Sequence, residues 1–384
     1  MALDHLFRPL ELGPVELPNR IVSTAHQTTL VHDHLPTDDF VAYHEARARG
    51  GAGLIVLEAT AVHPSALLTS HTLGGYLPEI VDRYRLVADA VQPHGTRLFV
   101  QLLHGGREQI ATPPRPPAIA PSAVPSPRFH SEPRAIAPAE IDELVTGFAR
   151  CAELAAEAGL DGIEVSAAHR YLVEQFLDQE LNLRGDEWRD GTRFPATVLR
   201  AVRSAAPGLA VGVRLSADSP RARTIAELAV AEGADYVSLS LGESSTYLGS
   251  VGIVPPPPVA EAAVAQSLFE VGLPRIATGR VLDPGVADRL VAEGRTEAVG
   301  MTRALIADPE LPRKAGEGRL VELVGCVGCN ACIAHYHAGT PLRCAVNPRT
   351  GRERRLGPPN RCPRRRLIVV GGGPAGIAAA VEAG

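Results

Sequence analysis

Hydrophobic and polar positions fall along this chain in blocks. Short apolar runs stand at Ile21-Val22, Gly53–Leu57, Arg97–Gln101, Gly162–Val165, Ala210–Leu215, Tyr236–Leu239, Pro274–Thr278 and Ala298–Met301. Between them lie longer amphipathic stretches: Thr37–Arg49, Glu79–His94, Pro138–Ala158, Phe194–Ala206, Thr224–Glu232, Val259–Val271 and Pro284–Glu293. Continuous apolar runs, unlike alternating ones, suit strands buried on both faces. Eight strand–helix units over roughly 280 residues predict an α/β fold, a (β/α)8 TIM barrel. An open doubly wound sheet is the rival, because it has the same local pattern. In a barrel, reactive groups come from the C-terminal ends of the strands and the loops after them. Ala111–Pro138, proline-rich and without a period, reads as a long loop after the third strand, and Pro255–Pro258 as a rigid connector.

Composition narrows the class. The 384 residues are 45% apolar and 21% charged with a formal charge of -5, as in a soluble globular protein of one or two domains. The acidic balance disfavours nucleic acid as a partner. No run reaches the roughly 18–20 apolar residues of a membrane span. Asp4, His5 and Arg8 occupy the stretch where a signal peptide would need its apolar core. The expectation is a cytoplasmic protein that engages neither nucleic acid nor membrane.

Cysteine placement changes the picture more. Of six cysteines, Cys326, Cys329, Cys332 and Cys344 fall within nineteen residues as C-x2-C-x2-C-x11-C, while Cys151 and Cys362 stand alone. Clustering in a long chain argues for metal rather than a disulfide scaffold. Three thiolates at three-residue spacing, closed by a fourth farther on, suit an iron–sulfur cluster. Zinc is the alternative, with His335 and His337 nearby. Farther along, the apolar run Arg366–Val370 precedes Gly371, Gly373 and Gly376, a G-x-G-x-x-G between an expected strand and a helix start. Its glycines would let backbone amides approach a pyrophosphate. A dinucleotide site needs a unit of about 30 residues and an acid about 20 positions on; neither lies within this sequence, so the motif is expected not to bind here. At the barrel's strand ends stand Gln101, His104–Arg107, His169, Tyr171, Arg214, Gly279-Arg280 and Gly300–Arg303. Glycine and arginine after strands seven and eight are suited to a phosphate.

Several segments together resemble the Old Yellow Enzyme family of FMN-dependent barrels. They are Leu6–Leu10, Leu17–Val22, Ala46-Arg47 with Gly50–Ile55, Gln101–Arg107, Tyr171-Leu172 with Gln175–Leu177, and Arg303–Pro309. With the cysteine segment and glycine motif added, the chain resembles the longer subfamily of 2,4-dienoyl-CoA reductase, 2-enoate reductase and trimethylamine dehydrogenase. Within that subfamily it looks most like its mycofactocin-associated oxidoreductases.

The resemblance implies FMN contacts from Ser23, Thr24, Ala25, Ala59, Gln101 and Arg214. It places the flavin phosphate on Gly279, Arg280, Thr302 and Arg303. Arg214 would stabilise the anionic reduced ring, Tyr171 would protonate the substrate carbon opposite hydride delivery, and His169 would orient the substrate carbonyl. It also implies a 4Fe-4S cluster on the four cysteines, with FAD and NAD(P)H expected only in a longer protein. Ser166 and Arg170 stand where relatives have His or Asn and glycine. The stretch Asn182–Phe194 is shortened, and Glu243, Ser244 and Tyr247 occupy the place of a catalytic histidine after strand six. A CoA thioester substrate is therefore in question.

The expected domains are 1–320, an FMN-binding barrel; 321–365, the cluster segment; and 366–384, the start of an FAD/NAD(P)-binding Rossmann-like domain. The expected activity is hydride transfer from reduced flavin to an activated alkene, with electrons from NAD(P)H via FAD and the cluster. The alternatives are an amine or N-methyl dehydrogenase of the trimethylamine dehydrogenase type, and an electron-transfer partner without its own small-molecule substrate. Partners are then a small-molecule substrate and a nicotinamide cofactor or electron-transfer protein, with a homo-oligomer left open.

Overall fold

A computed structural model describes residues 3–109, 117–242, 271–357 and 366–383. Eight parallel strands carry it: β1 (Ile21–Ser23), β2 (Leu54–Ala61), β3 (Arg97–Leu103), β4 (Gly162–Ala167), β5 (Ala210–Ser216), β6 (Tyr236–Ser240), β7 (Arg275–Thr278) and β8 (Ala298–Gly300). Each pairs with its neighbour in sequence. The ring closes where Val299 of β8 pairs with Ile21 of β1, and Val22 of β1 pairs with Leu54 of β2. That closure excludes the open doubly wound sheet. The sheet is a TIM barrel.

Helices follow most strands near the positions that the pattern predicts, from Asp38–Arg49 after β1 to Pro284–Ala292 after β7. The first starts where Thr37 Oγ1 accepts from the Phe40 amide at 3.3 Å, an N-cap that satisfies a free helix donor. The connector Pro255–Pro258, the helix expected over Val259–Val271 up to residue 270, Cys362, and Glu243, Ser244 and Tyr247 lie outside the described residues. The long loop after β3 holds some order of its own: Ile119-Ala120 pairs in parallel with Arg134-Ala135. Among the described residues no helix is long and apolar enough to cross a membrane.

A hairpin, Leu10–Leu12 against Val15–Leu17, closes the barrel's N-terminal end. Leu12, Val15 and Leu17 pack with the inward residues Val22, Leu54, Val56, Phe99, Tyr236 and Ile276. Apolar side chains fill that end, and the cleft opens at the other. Gly212 shows how tight the filling is, since an added Cβ would meet the Tyr236 ring at 2.1 Å.

The C-terminal segment folds back on the barrel. Leu342 N donates to Thr28 O at 2.9 Å. Asn347 Nδ2 and Thr350 Oγ1 donate to Ile306 O at 3.1 and 3.0 Å. Glu353 reaches the buried Arg47 at 3.4 Å. Residues 366–370, expected as a strand, are not one. Leu367, Ile368 and Val370 are exposed and pair with no sheet, and an apolar run without a partner strand has nothing to bond. The helix expected next does form, over Pro374–Ala383 directly after Gly373. Gly376 packs so closely that a Cβ would stand 1.9 Å from Gly371 O.

Candidate functional site

All eight strands contribute to one cleft of about 330 Å³ at the C-terminal end of the barrel. Thr24 and Ala25 come from β1, Ala59 from β2, Gln101 and Leu103 from β3, and His169 and Tyr171 from the turn after β4. Arg214 comes from β5, Ser240 from β6, Gly279 and Arg280 from the end of β7, and Thr302 and Arg303 from the end of β8. The cysteine segment covers one side with Cys332, Ile333, Tyr336 and Leu342. Of the barrel residues expected to contact FMN or substrate, only Ser23 stays outside the lining. It ends β1 fully buried, with Oγ unpaired.

Arg214 stands over a buried carboxylate. Glu164 on β4 accepts from Gln101 Nε2 at 2.7 Å and from the Tyr236 hydroxyl at 3.4 Å, and lies 4.0 Å from Arg214 Nη1. That nitrogen is buried without a hydrogen-bond partner. Burial and the Glu164 charge push the Tyr236 hydroxyl well above its usual range. Sequence reading missed Glu164, because a lone acid inside an apolar strand has no spacing to reveal it.

The turn after β4 is held in an unusual backbone. His169 and Arg170 both have φ of +60, a region costing roughly 1–2 kcal/mol per non-glycine residue. Arg170 is clamped there: its amide donates to Glu174 at 2.7 Å and its Nε to Asp178 at 2.8 Å. These bonds explain how an arginine takes a place that suits glycine. His169 N donates to Ser216 Oγ, and its Nδ1 faces the Gly242 carbonyl, both at 2.9 Å. A carbonyl can only accept, so Nδ1 carries the proton and Nε2 is left as an acceptor. Burial, with a smaller push from Arg214, lowers His169 to about 4, and the ring is neutral near pH 7. Tyr171 packs beside it, ring centroids 6.0 Å apart, against Ala59, Leu68 and Leu103.

At the ends of β7 and β8, Thr302 Oγ1 meets Thr24 Oγ1 at 2.7 Å and accepts from its amide at 3.0 Å. Gly300 keeps the backbone open, since a Cβ there would meet the Thr278 and Thr24 methyl groups at 2.6 and 2.8 Å. Other residues from the strand ends belong to the scaffold. His104 is buried between Ser65 Oγ and the Gly106 amide, each 3.0 Å away. Arg107 pairs with Glu108 at 3.0 Å beneath the loop after β3.

Cys326, Cys332 and Cys344 are half-buried beside the cleft and Cys329 is exposed. A single zinc ion would draw its ligands onto one centre at about 2.0–2.3 Å. Among the described residues no three Cys, His, Asp or Glu side chains converge in that way. A cubane would place one thiolate on each of its four irons, and the segment carries four cysteines.

A closed parallel barrel whose mouth gathers arginines and glycine-opened backbone suits an enzyme with a phosphate-bearing cofactor. The chain belongs to the NADH:flavin oxidoreductase / NADH oxidase family, whose model matches residues 5–322. It is 33% identical, over 99% of its length and 58% of the relative's, to an N,N-dimethylglycine/sarcosine dehydrogenase of Chromohalobacter salexigens. Among solved structures it resembles a 2-naphthoyl-CoA reductase complex (TM-score 0.89, 26% identity, 99% of this chain and 63% of that one). It also resembles 6-hydroxypseudooxynicotine amine oxidase from Pseudomonas geniculata (TM-score 0.90, 26% identity, 100% and 61%). The chain thus spans about three-fifths of the length of these relatives.

FMN is the cofactor that the family implies, and the cleft fits it. Arg214 Nη1 is a buried donor without an acceptor, and Arg280 and Arg303 with open backbone stand at one end. Ala25, Ala59, Leu103 and Val281 supply apolar surface for a flat ring.

Proposed function

We propose that the chain binds FMN and a 4Fe-4S cluster and reduces an activated alkene, an enone or enoyl compound. Electrons would arrive from NAD(P)H through FAD and the cluster. The proposed organisation is an FMN barrel over 1–320, a cluster segment over 321–365, and the start of an FAD/NAD(P)-binding Rossmann-like domain over 366–384. Bound FMN supplies the hydride. The protein's own residues do the rest. Thr24, Ala25, Ala59 and Gln101 hold the ring, with Ser23 beneath it, and Gly279, Arg280, Thr302 and Arg303 hold the phosphate. Arg214 provides fixed positive charge beside the ring, kept in place by Glu164. Tyr171 holds a proton over the cleft for the carbon that hydride does not take. Neutral His169 offers an acceptor, so it engages a substrate carbonyl through a bridging water.

The carrying observation is the pairing of Arg214, with its unpaired Nη1, and Tyr171 in one cleft. Anaerobic mixing with NAD(P)H in the presence of a suitable reductase, followed by an enone, should bleach the flavin and then reoxidise it. Reduced flavin that persists in excess enone would overturn the reading. The cleft is lined by Arg128, Arg214, Arg280 and Arg303 and, among the described residues, by no Asp or Glu. In such a surface the second reading, amine or N-methyl dehydrogenation, suits substrates that also carry an anionic group. The dimethylglycine/sarcosine dehydrogenase relative keeps that reading in view. Flavin reduced by an N-methyl amino acid alone would establish it.

A further inference from the structure

The loop between the first three cysteines touches both arginines at the phosphate end of the cleft. Arg303 Nη1 donates to Asn330 Oδ1 at 2.9 Å. Arg280 lies against Gly328, where an added Cβ would stand 2.7 Å from its Nη2. Both loop residues have left-handed backbone, φ +70 at Gly328 and +58 at Asn330. A guanidinium has five N–H donors in a fixed fork. The bond to Asn330 orients the plane of Arg303. Ligation of Cys326, Cys329 and Cys332 would fix the loop on which Asn330 sits.

We propose that Asn330 is a positioning residue that completes the FMN phosphate site from the cysteine loop, so that flavin binding and cluster assembly are coupled. The inference rests on the assignment of Arg280 and Arg303 to the flavin phosphate. Coupling of this kind is reciprocal: the cluster strengthens FMN binding, and FMN protects the cluster by the same factor.

The left-handed backbone permits a clean test. Asn330→Gly is at home at φ +58 and removes the side chain without straining the backbone. Asn330→Asp keeps an acceptor but sets a carboxylate on Arg303 in competition with phosphate. FMN dissociation constants are measured by flavin fluorescence on the chain carrying its cluster, with iron and sulfide content checked. N330G should weaken FMN by about 5- to 20-fold, within the usual range of coupling between sites, and N330D by more. FMN should slow loss of iron to a chelator in the unaltered chain and do so less in N330G. Arg303→Ala serves as the reference. If R303A binds FMN as tightly as the unaltered chain, the phosphate assignment fails and the inference with it. If R303A weakens FMN while N330G and N330D do not, the assignment stands and the role of Asn330 is overturned.

Discussion

Tyr171 and His169 sit within a few ångströms of each other, yet their surroundings give them different work. His169 has its Nδ1 proton directed at the Gly242 carbonyl and is lowered to about 4 by burial, so it stays neutral through the range in which such a protein works. It has no proton to give to a substrate there. Tyr171 lines the same cleft with a phenol that ordinarily keeps its proton until about pH 10, and general-acid catalysis by such a group contributes roughly 10²–10⁴-fold. Tyr171→Phe should therefore slow alkene reduction by about 10²-fold or more, with FMN binding and flavin reduction unchanged. Equal loss in flavin reduction and alkene reduction would show a structural role instead. At this scale the sequence was informative where residues fall in family segments or at strand ends. It was silent on Glu164, which acts only through Gln101, Tyr236 and Arg214 brought from three other strands. It did not decide at His104 and Arg107, strand-end residues that turn into the scaffold. Whether a side chain faces the cleft or the wall depends on the turn that carries it.

Between elements, the weight falls on how the C-terminal segment is fastened. The helix Glu353–Leu356 packs on Asp38–Arg49, and there Arg47 is fully buried with Tyr43 O at 2.6 Å and Glu353 at 3.4 Å. Its guanidinium carbon lies 3.3 Å from the Tyr43 ring centroid. Removing one partner of a buried ion pair leaves an uncompensated charge and costs about 3–5 kcal/mol. Glu353→Ala should lower the urea midpoint accordingly and speed proteolysis between residues 323 and 357. A midpoint shifted by less than the scatter would show that the pair is dispensable. The apolar blocks predicted the elements but not this docking, because contacts between Arg47 and Glu353 span 306 positions and leave no period. The eight blocks did predict a barrel, but the same blocks suit an open sheet, and the pairing of β8 with β1 is what decides. Residues 366–370 fail as a strand because a run with strand composition still needs a neighbour to bond.

For the whole molecule, stability against pH follows from groups that the fold keeps neutral. Burial lowers His26 and His169 to about 4 and His104 to about 3, and it holds His44 well below its usual value. Each is neutral in the fold but takes up a proton near pH 6.5 when unfolded. Between pH 6.5 and about 4 the unfolded chain therefore binds more protons, and stability falls as pH falls. Glu58 has the opposite sign. Buried, with Oε2 accepting from the Thr28 amide and hydroxyl at 2.9 and 2.6 Å, it is pushed up to about 8. It stays protonated in the fold while the unfolded carboxyl ionises above about 4.5, so its contribution is lost as pH rises from about 4.5 to 8. One carboxyl against four histidines, each worth about 1.4 kcal/mol per pH unit inside its window, gives a lopsided profile. Stability should peak near pH 6.5, decline gently toward pH 8, and fall steeply toward pH 4.5. Urea midpoints across that range check it. Glu58→Gln, which keeps a neutral hydrogen-bonding group, should flatten the alkaline side and leave the acid side as it was. A midpoint that keeps rising below pH 6 would mean that the buried histidines are protonated in the fold, and the role proposed for a neutral His169 would go with it.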